Sequence, residues 1–478
     1  MELARKILFY VFLLIYLVLC PFIILYSFGY IYHPGTKDIS QTGLIYLSST
    51  PAGAHVYLEK SRFKNKTPTT IRELNPGEYQ VSVRLKNYRP WSHHITIEAG
   101  KSVVFKNILL LPERFNKVNV SPNVTYRNLT TIRGTNYLIL QKGSKIKEFY
   151  IYELPKEVLR ALTDRDSEYD DFAVSTIFTE DKSKLIIMYG GSLWNKKYFL
   201  IDFDDKTHSL TEITDFFSEH PNSIVWTNNF PKDIFAVYDD YINRLDIQNI
   251  SVYPRYFDNI KGFGLGDKWL YVLGMDNVIL KSTLDKEQEI ILFDDIHLGK
   301  DLFKKSRFYN IQRIDKDILL FWGNRGDLIT TIPPYRIIDE GVFGINYNES
   351  ANILLFWTKN SIWTADFNKT HEQDFLFKER VRLNDIYDEG TDIGQCFWVY
   401  VGTHLLFKDK NDVYLLELAP DGKYHKEYIV EVKENTEIYY NKIDGSLYYI
   451  DQKGNLMKIK LLPKEKMIFA PLMEESKS

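Results

Sequence analysis

Ile353-Leu354-Leu355-Phe356-Trp357 is followed by the polar turn Thr358-Lys359-Asn360-Ser361 and then by Ile362-Trp363-Thr364-Ala365. An unbroken apolar run of strand length, a turn and a second apolar run read as a β-hairpin. The unit recurs. Its first strands fall at 137–140, 184–188, 234–238, 269–273, 318–322, 353–357, 405–407 and 447–450, and a looser strand follows each pair. Turns such as Asp239-Asp240, Asn324-Arg325-Gly326-Asp327 and Gln452-Lys453-Gly454-Asn455 separate the strands.

The eight hairpins start about 44 residues apart, and a period of about 40–50 with several strands per unit is the signature of a β-propeller. A single open sheet of so many strands would curl or split, whereas radial repetition protects the edges. Residues 118–463 are therefore expected to form a propeller of seven or eight blades. The stretch Phe178-Thr179-Glu180-Asp181-Lys182-Ser183-Lys184-Leu185 resembles the strand–turn–strand unit of TolB-like and YVTN-like propellers. No series of WD dipeptides or Asp-boxes accompanies it.

The composition fits this reading. The chain has 478 residues, too many for one core, and is 45% hydrophobic and 26% charged, an ordinary globular balance. The net charge is −3 with no long basic tract, which argues against nucleic-acid binding. Of the two cysteines, Cys20 lies in an apolar run and Cys396 far from it, so no intrachain disulfide is expected.

The N-terminus reads differently. Arg5-Lys6 precedes residues 7–32, which carry no charge, and such a run exceeds the length needed to cross a ~30 Å hydrocarbon core. Tyr10 near its start and Tyr26, Tyr30 and Tyr32 near its finish suit the headgroup region. Pro21 falls mid-span and is expected to kink the helix. The basic flank predicts a cytoplasmic N-terminus and an extracytoplasmic bulk. A cleaved signal would have a shorter apolar core ending in small residues. A lipoprotein signal would place a small residue before Cys20, where Leu19 stands. The expected organisation is a cytoplasmic stub and anchor (1–33), a polar linker (34–42), a small β-domain (43–112), the propeller (118–463) and a tail (464–478). The fold class is all-β after one transmembrane helix.

Residues 43–112 hold about six short strand signals separated by turn chemistry, consistent with a small β-sandwich. Ser49, Pro51, Gly53, Ala54 and Val56 are followed by Thr67 and Pro68, by Leu74, Pro76, Gly77 and Tyr79, by Tyr88, and by Gly100. This order and spacing resemble the PEGA domain of bacterial and archaeal surface proteins. Two positions depart from its pattern, Lys66 and Asn87 standing where glycines are expected; Asn tolerates left-handed backbone well. The resemblance implies an extracytoplasmic sandwich that mediates envelope attachment or adhesion, and it does not imply an enzyme.

Within that domain, Lys60, Arg62, Lys64 and Lys66 form a basic hairpin tip. It could meet anionic headgroups or an acidic wall polymer, or be a solvated loop. Tyr88 and Trp91 could stack on sugar rings or cover the core edge. Elsewhere the sequence offers no catalytic, cofactor or metal constellation. The acidic runs 164–171 and 202–205 lack the glycine turn of a calcium loop. His93 and His94 are strand neighbours that point to opposite faces. Gly262-Phe263-Gly264-Leu265-Gly266 has the wrong spacing for a dinucleotide site and reads as a turn. No nucleophile elbow, zincin motif or phosphate loop occurs. The expected function is a non-enzymatic binding or scaffold protein, anchored in the inner membrane of a prokaryotic cell and meeting an envelope protein or a surface glycan. An envelope glycan lyase or hydrolase and an extracytoplasmic sensor are the alternatives.

Overall fold

A computed structural model describes residues 2–461, apart from 28, 34–37, 132–136, 144–148, 162–173, 179–183, 190–196, 203–209, 294–301, 332–335, 368–381, 419–423 and scattered shorter stretches. The chain divides into two compact units, one made mainly of residues 1–116 and the other mainly of 117–459.

The first unit opens with helix α1 (Glu2–Ser27), which runs on through Pro21. Its segment Ile7–Ser27 is long and apolar enough to cross a membrane and is not buried within the protein. The helix ends earlier than the uncharged run. Tyr30 and Tyr32 lie instead on β1 (Tyr30–His33), which pairs antiparallel with β2 (Asp38–Gln41). The stretch expected to be a linker thus contributes a strand to a hairpin. Its polar residues alternate too weakly to announce a strand; local pairing makes it one.

The sandwich follows. One sheet has the order β5 (Ser61–Lys66), β4 (His55–Leu58), β7 (Gly77–Arg84), β8 (Trp91–Ile97); the other has β6 (Thr69–Leu74), β3 (Gly43–Thr50), β9 (Ser102–Leu109). β3 and β9 run parallel, while the remaining pairs are antiparallel. Alternate residues of each strand meet between the sheets, where Ile45, Leu47, Val56, Val81, Val83, Ile95 and Phe105 are buried. The residues that carried the family pattern interlock. Ser49 Oγ and Thr67 Oγ1 lie 2.6 Å apart, Ala54 N–H donates to Thr67 Oγ1 (3.0 Å), and Gly53 N–H donates to the Thr67 carbonyl (2.8 Å). Gly53 has φ +83° and Asn87 φ +69°, the left-handed backbone that these two residue types adopt most readily.

The second unit is a β-propeller. Among the described residues its strands form eight four-stranded antiparallel blades in chain order: 128–161, 174–212, 223–258, 260–293, 309–339, 344–387, 393–431, and 439–460 completed by β10 (Lys117–Asn119). β10 is the outer strand of the last blade and pairs with Leu456–Lys460, so the ring is closed by strands from opposite ends of the repeat. In each blade the second strand is the first strand of a hairpin read from the sequence. Their middles are apolar, and where the side chains are described these middles are covered on both faces by neighbouring blades. In Leu270–Gly274, Leu270 and Val272 pack with blade three, while Tyr271 and Leu273 pack with blade five.

The glycine-rich stretch is not a turn. Ile260–Leu265 is the inner strand of blade four and pairs in parallel with Tyr309–Asp315 of blade five. A Cβ at Gly264 would overlap the carbonyl of Ile311, and one at Gly262 would lie 3.1 Å from the Tyr309 carbonyl. The glycines let two inner strands approach closely enough to pair.

Candidate functional site

Of the four basic residues read as a hairpin tip, three lie on a strand and one at the turn. Arg62, Lys64 and Lys66 belong to β5, the edge strand of its sheet, and are exposed; Lys60 sits in the turn before it. Phe63 turns the other way and packs against the core. Charge on an edge strand repels edge-to-edge pairing. Register extends the charge across the sheet. Arg62 lies opposite Tyr57, and Lys66 opposite His55, which on its other side faces Arg84. The Arg84 guanidinium sits 4.8 Å from the Tyr57 ring centroid. The result is a cationic face in which Arg62, Lys66 and Arg84 surround an aromatic and an imidazole.

Arg62 Nη2 donates to His55 Nδ1 (2.7 Å). A guanidinium can only donate, so Nδ1 must be the unprotonated nitrogen of a neutral ring. Partial desolvation, then the charges of Arg62 and Lys66, hold the His55 imidazole below its ordinary pKa. Such a face can attract an anionic chain and gains one more charge when His55 protonates.

The face extends along the sheet away from the helix. β3 leads away from the helix, and its far end turns into the start of β4 at His55. Seven residue steps at ~3.3 Å each put the His55–Lys66–Arg84 end of the sheet roughly 23 Å from Gly43. Lys60, by contrast, lies at the end nearer the helix.

Of the two roles open to Tyr88 and Trp91, both take the one of covering the core. Trp91 is 3% exposed, stacked on His93 and edge-on to Phe105 in the core. Strand β8 starts at Trp91, earlier than the sequence showed, and its parity points Trp91, His93, Ile95 and Ile97 inward. His94 points out, so the two histidines do face opposite ways. Tyr88 is half-buried, bridges to Pro112 and packs against the sandwich core. Arg84, Tyr57 and His55 were missed because sequence alternation shows which face a residue takes but not which neighbour it meets.

In the propeller, the most enclosed carboxylate among the described residues is Asp327, 2% exposed. It accepts hydrogen bonds from Ser306 Oγ and from Tyr309 OH (2.5 Å). Burial and the neighbouring carboxylate raise the Tyr309 pKa, so the phenol stays a donor. All three groups are spent on one another, and the cluster holds a blade-five turn in place. Cys396 is buried and its thiol pKa is raised by desolvation, which makes it unreactive. Among the described residues, no three His, Cys, Asp or Glu side chains are placed to share a metal ion. The acidic run 164–171, Asp204 and Asp205, most of the stretch 178–185 and the tail 464–478 lie outside the described residues.

No curated protein matches the chain in sequence. Similar solved structures include the computationally designed Ika8 protein, at 11% identity and a TM-score of 0.44 over 71% of this chain and 99% of that one. They also include the β-propeller domain of Myceliophteria thermophila Cps50 (Swd1), at 11% identity and a TM-score of 0.38 over 73% and 100% of the two chains. A third is PorZ of Porphyromonas gingivalis, a bacterial surface component of the type-IX secretion system, at 12% identity and a TM-score of 0.38 over 70% and 42%. The sandwich has a sequence match of its own: residues 42–109 match the PEGA domain family.

Proposed function

We propose that this protein is a membrane-anchored binding or scaffold protein of a prokaryotic cell envelope and not an enzyme. In this reading α1 anchors the chain in the inner membrane, with the N-terminus cytoplasmic and the β-domains outside. The sandwich attaches or spaces, and the propeller presents a surface to an envelope protein or glycan. The observation that carries it is the order of parts: a PEGA-matching sandwich directly follows a helix of membrane-spanning length. The cationic face of β5 and β4 runs away from the helix end, which favours a linear anionic wall polymer over headgroups as its ligand. The test is crosslinking of the full chain in intact membranes, followed by identification of what is bound. Recovery of an envelope glycan or envelope protein is expected, and recovery of neither contradicts the proposal.

A further inference from the structure

Thr42 ties the end of α1 to the sandwich. Its N–H and its Oγ1 both donate to the Gly29 carbonyl, each at 2.8 Å, and its own carbonyl accepts from Gly100 N–H (3.2 Å). Thr42 is buried, and Gly29 takes φ +78° to make the turn. Gly29 N–H in turn donates to Tyr26 O (3.0 Å), and Tyr26 Oη donates to Glu73 Oε1 of β6 (3.4 Å). The β1–β2 hairpin is therefore pinned at its base between the helix end and the first strand of the sandwich. It cannot reach away from the place where the helix stops.

Among the described residues of the hairpin, two side chains are left uncovered by the protein. Tyr32 and Ile39 pair directly across it and are 56% and 59% exposed. An exposed apolar cross-strand pair five residues beyond a membrane-spanning segment is costly in water and suited to the interface, where an aromatic with a polar tip and an aliphatic side chain are both accommodated. We infer that the β1–β2 hairpin is a second membrane contact, its Tyr32–Ile39 pair seated in the headgroup–acyl boundary of the bilayer that α1 spans. The inference rests on the reading of α1 as a membrane anchor. A lone helix would let the sandwich swivel; a helix and a clamped hairpin hold it at a fixed attitude to the lipid surface.

The test uses the full chain carrying Cys20→Ala, reconstituted in phosphatidylethanolamine–phosphatidylglycerol vesicles. An environment-sensitive fluorophore is attached at Ile39→Cys, at Leu13→Cys in the helix, or at Lys86→Cys at the remote end of the sandwich. Lipids carrying a nitroxide high or low on the acyl chain report depth. The expected result is a blue-shifted Ile39→Cys probe quenched most by the shallow nitroxide, a Leu13→Cys probe quenched most by the deep one, and an unquenched Lys86→Cys probe. Quenching at Leu13→Cys without quenching at Ile39→Cys overturns the inference and leaves the anchor standing. Absence of quenching at Leu13→Cys overturns the anchor and the inference with it. Equal quenching at Ile39→Cys and Lys86→Cys also overturns it, since the whole sandwich would then lie on the lipid.

Discussion

Val118 pairs with Lys458, so the last blade is completed by a strand that precedes the first blade in sequence. The pairing makes the propeller a closed ring whose stability depends on both of its ends. Next to the pair, Val120 N–H donates to the Leu456 carbonyl (2.9 Å). Proline has no N–H to give, so Val120→Pro removes this bond, a loss of about 0.5–1.5 kcal/mol before any distortion. Hydrogen exchange should show faster exchange along Leu456–Lys460 in the variant, with blades three to five unchanged. Unchanged protection of Leu456–Lys460 contradicts the closure.

The inner-strand glycines give a prediction of opposite signs. Gly264→Ala drives a methyl group into the Ile311 backbone and should destabilise the propeller by about 1–3 kcal/mol, as overpacking does. Gly394, also on an inner strand, has open space where its Cβ would go. Gly394→Ala should therefore be neutral or stabilising by up to about 1 kcal/mol, through the unfolded chain. Urea denaturation followed by tryptophan fluorescence distinguishes the two, and equal effects contradict the close approach.

The cationic face is expected to bind linear polyanions with strong salt dependence. With about 1 kcal/mol per basic residue near an anionic surface, Lys66→Ala and Arg84→Ala should each weaken binding of soluble polyphosphate to the detergent-solubilised protein by about fivefold. Lys453→Ala, on an exposed propeller turn, should leave it unchanged. Calorimetry at two salt concentrations checks this, and equal affinities for all variants would remove the face as a site.

His55 sets the pH dependence. Its pKa in the folded protein lies below that of the unfolded chain. The stability that neutral His55 contributes is therefore fully present above about pH 6.5, the ordinary imidazole value, and is lost as pH falls through the lower folded value. Over the same fall in pH the face gains a charge, so polyanion binding should strengthen. Histidine-selective NMR should show His55 titrating below the ordinary imidazole value and moving up in Arg62→Ala. A His55 midpoint that Arg62→Ala leaves unchanged contradicts the arrangement.

The parts of the fold that could be read from sequence are those whose chemistry is local. The second strand of every blade was legible because burial on two faces leaves an unbroken apolar run such as Ile353–Trp357. The inner strands were not, since Tyr309–Asp315 mixes Asn310, Gln312 and Arg313 with its apolar residues. The sandwich announced itself through Ser49, Gly53, Ala54 and Thr67, which the structure shows bonded to one another. The candidate site was only half legible. Its cations stood out on β5, but His55, Tyr57 and Arg84 joined them through cross-strand register. Of the two roles open to Trp91, the core-covering one holds, and the parity of β8 that decides it depends on where the strand begins.

The most direct test of the account is topological. A dual reporter that is active as a phosphatase outside the cytoplasm and as a galactosidase inside it is fused after Ser478 of the full chain and expressed in a bacterial host. Phosphatase activity that stays with the membrane fraction through alkaline carbonate washing is expected. Galactosidase activity, or a phosphatase released by carbonate, would contradict an anchored protein whose β-domains lie outside the cytoplasm.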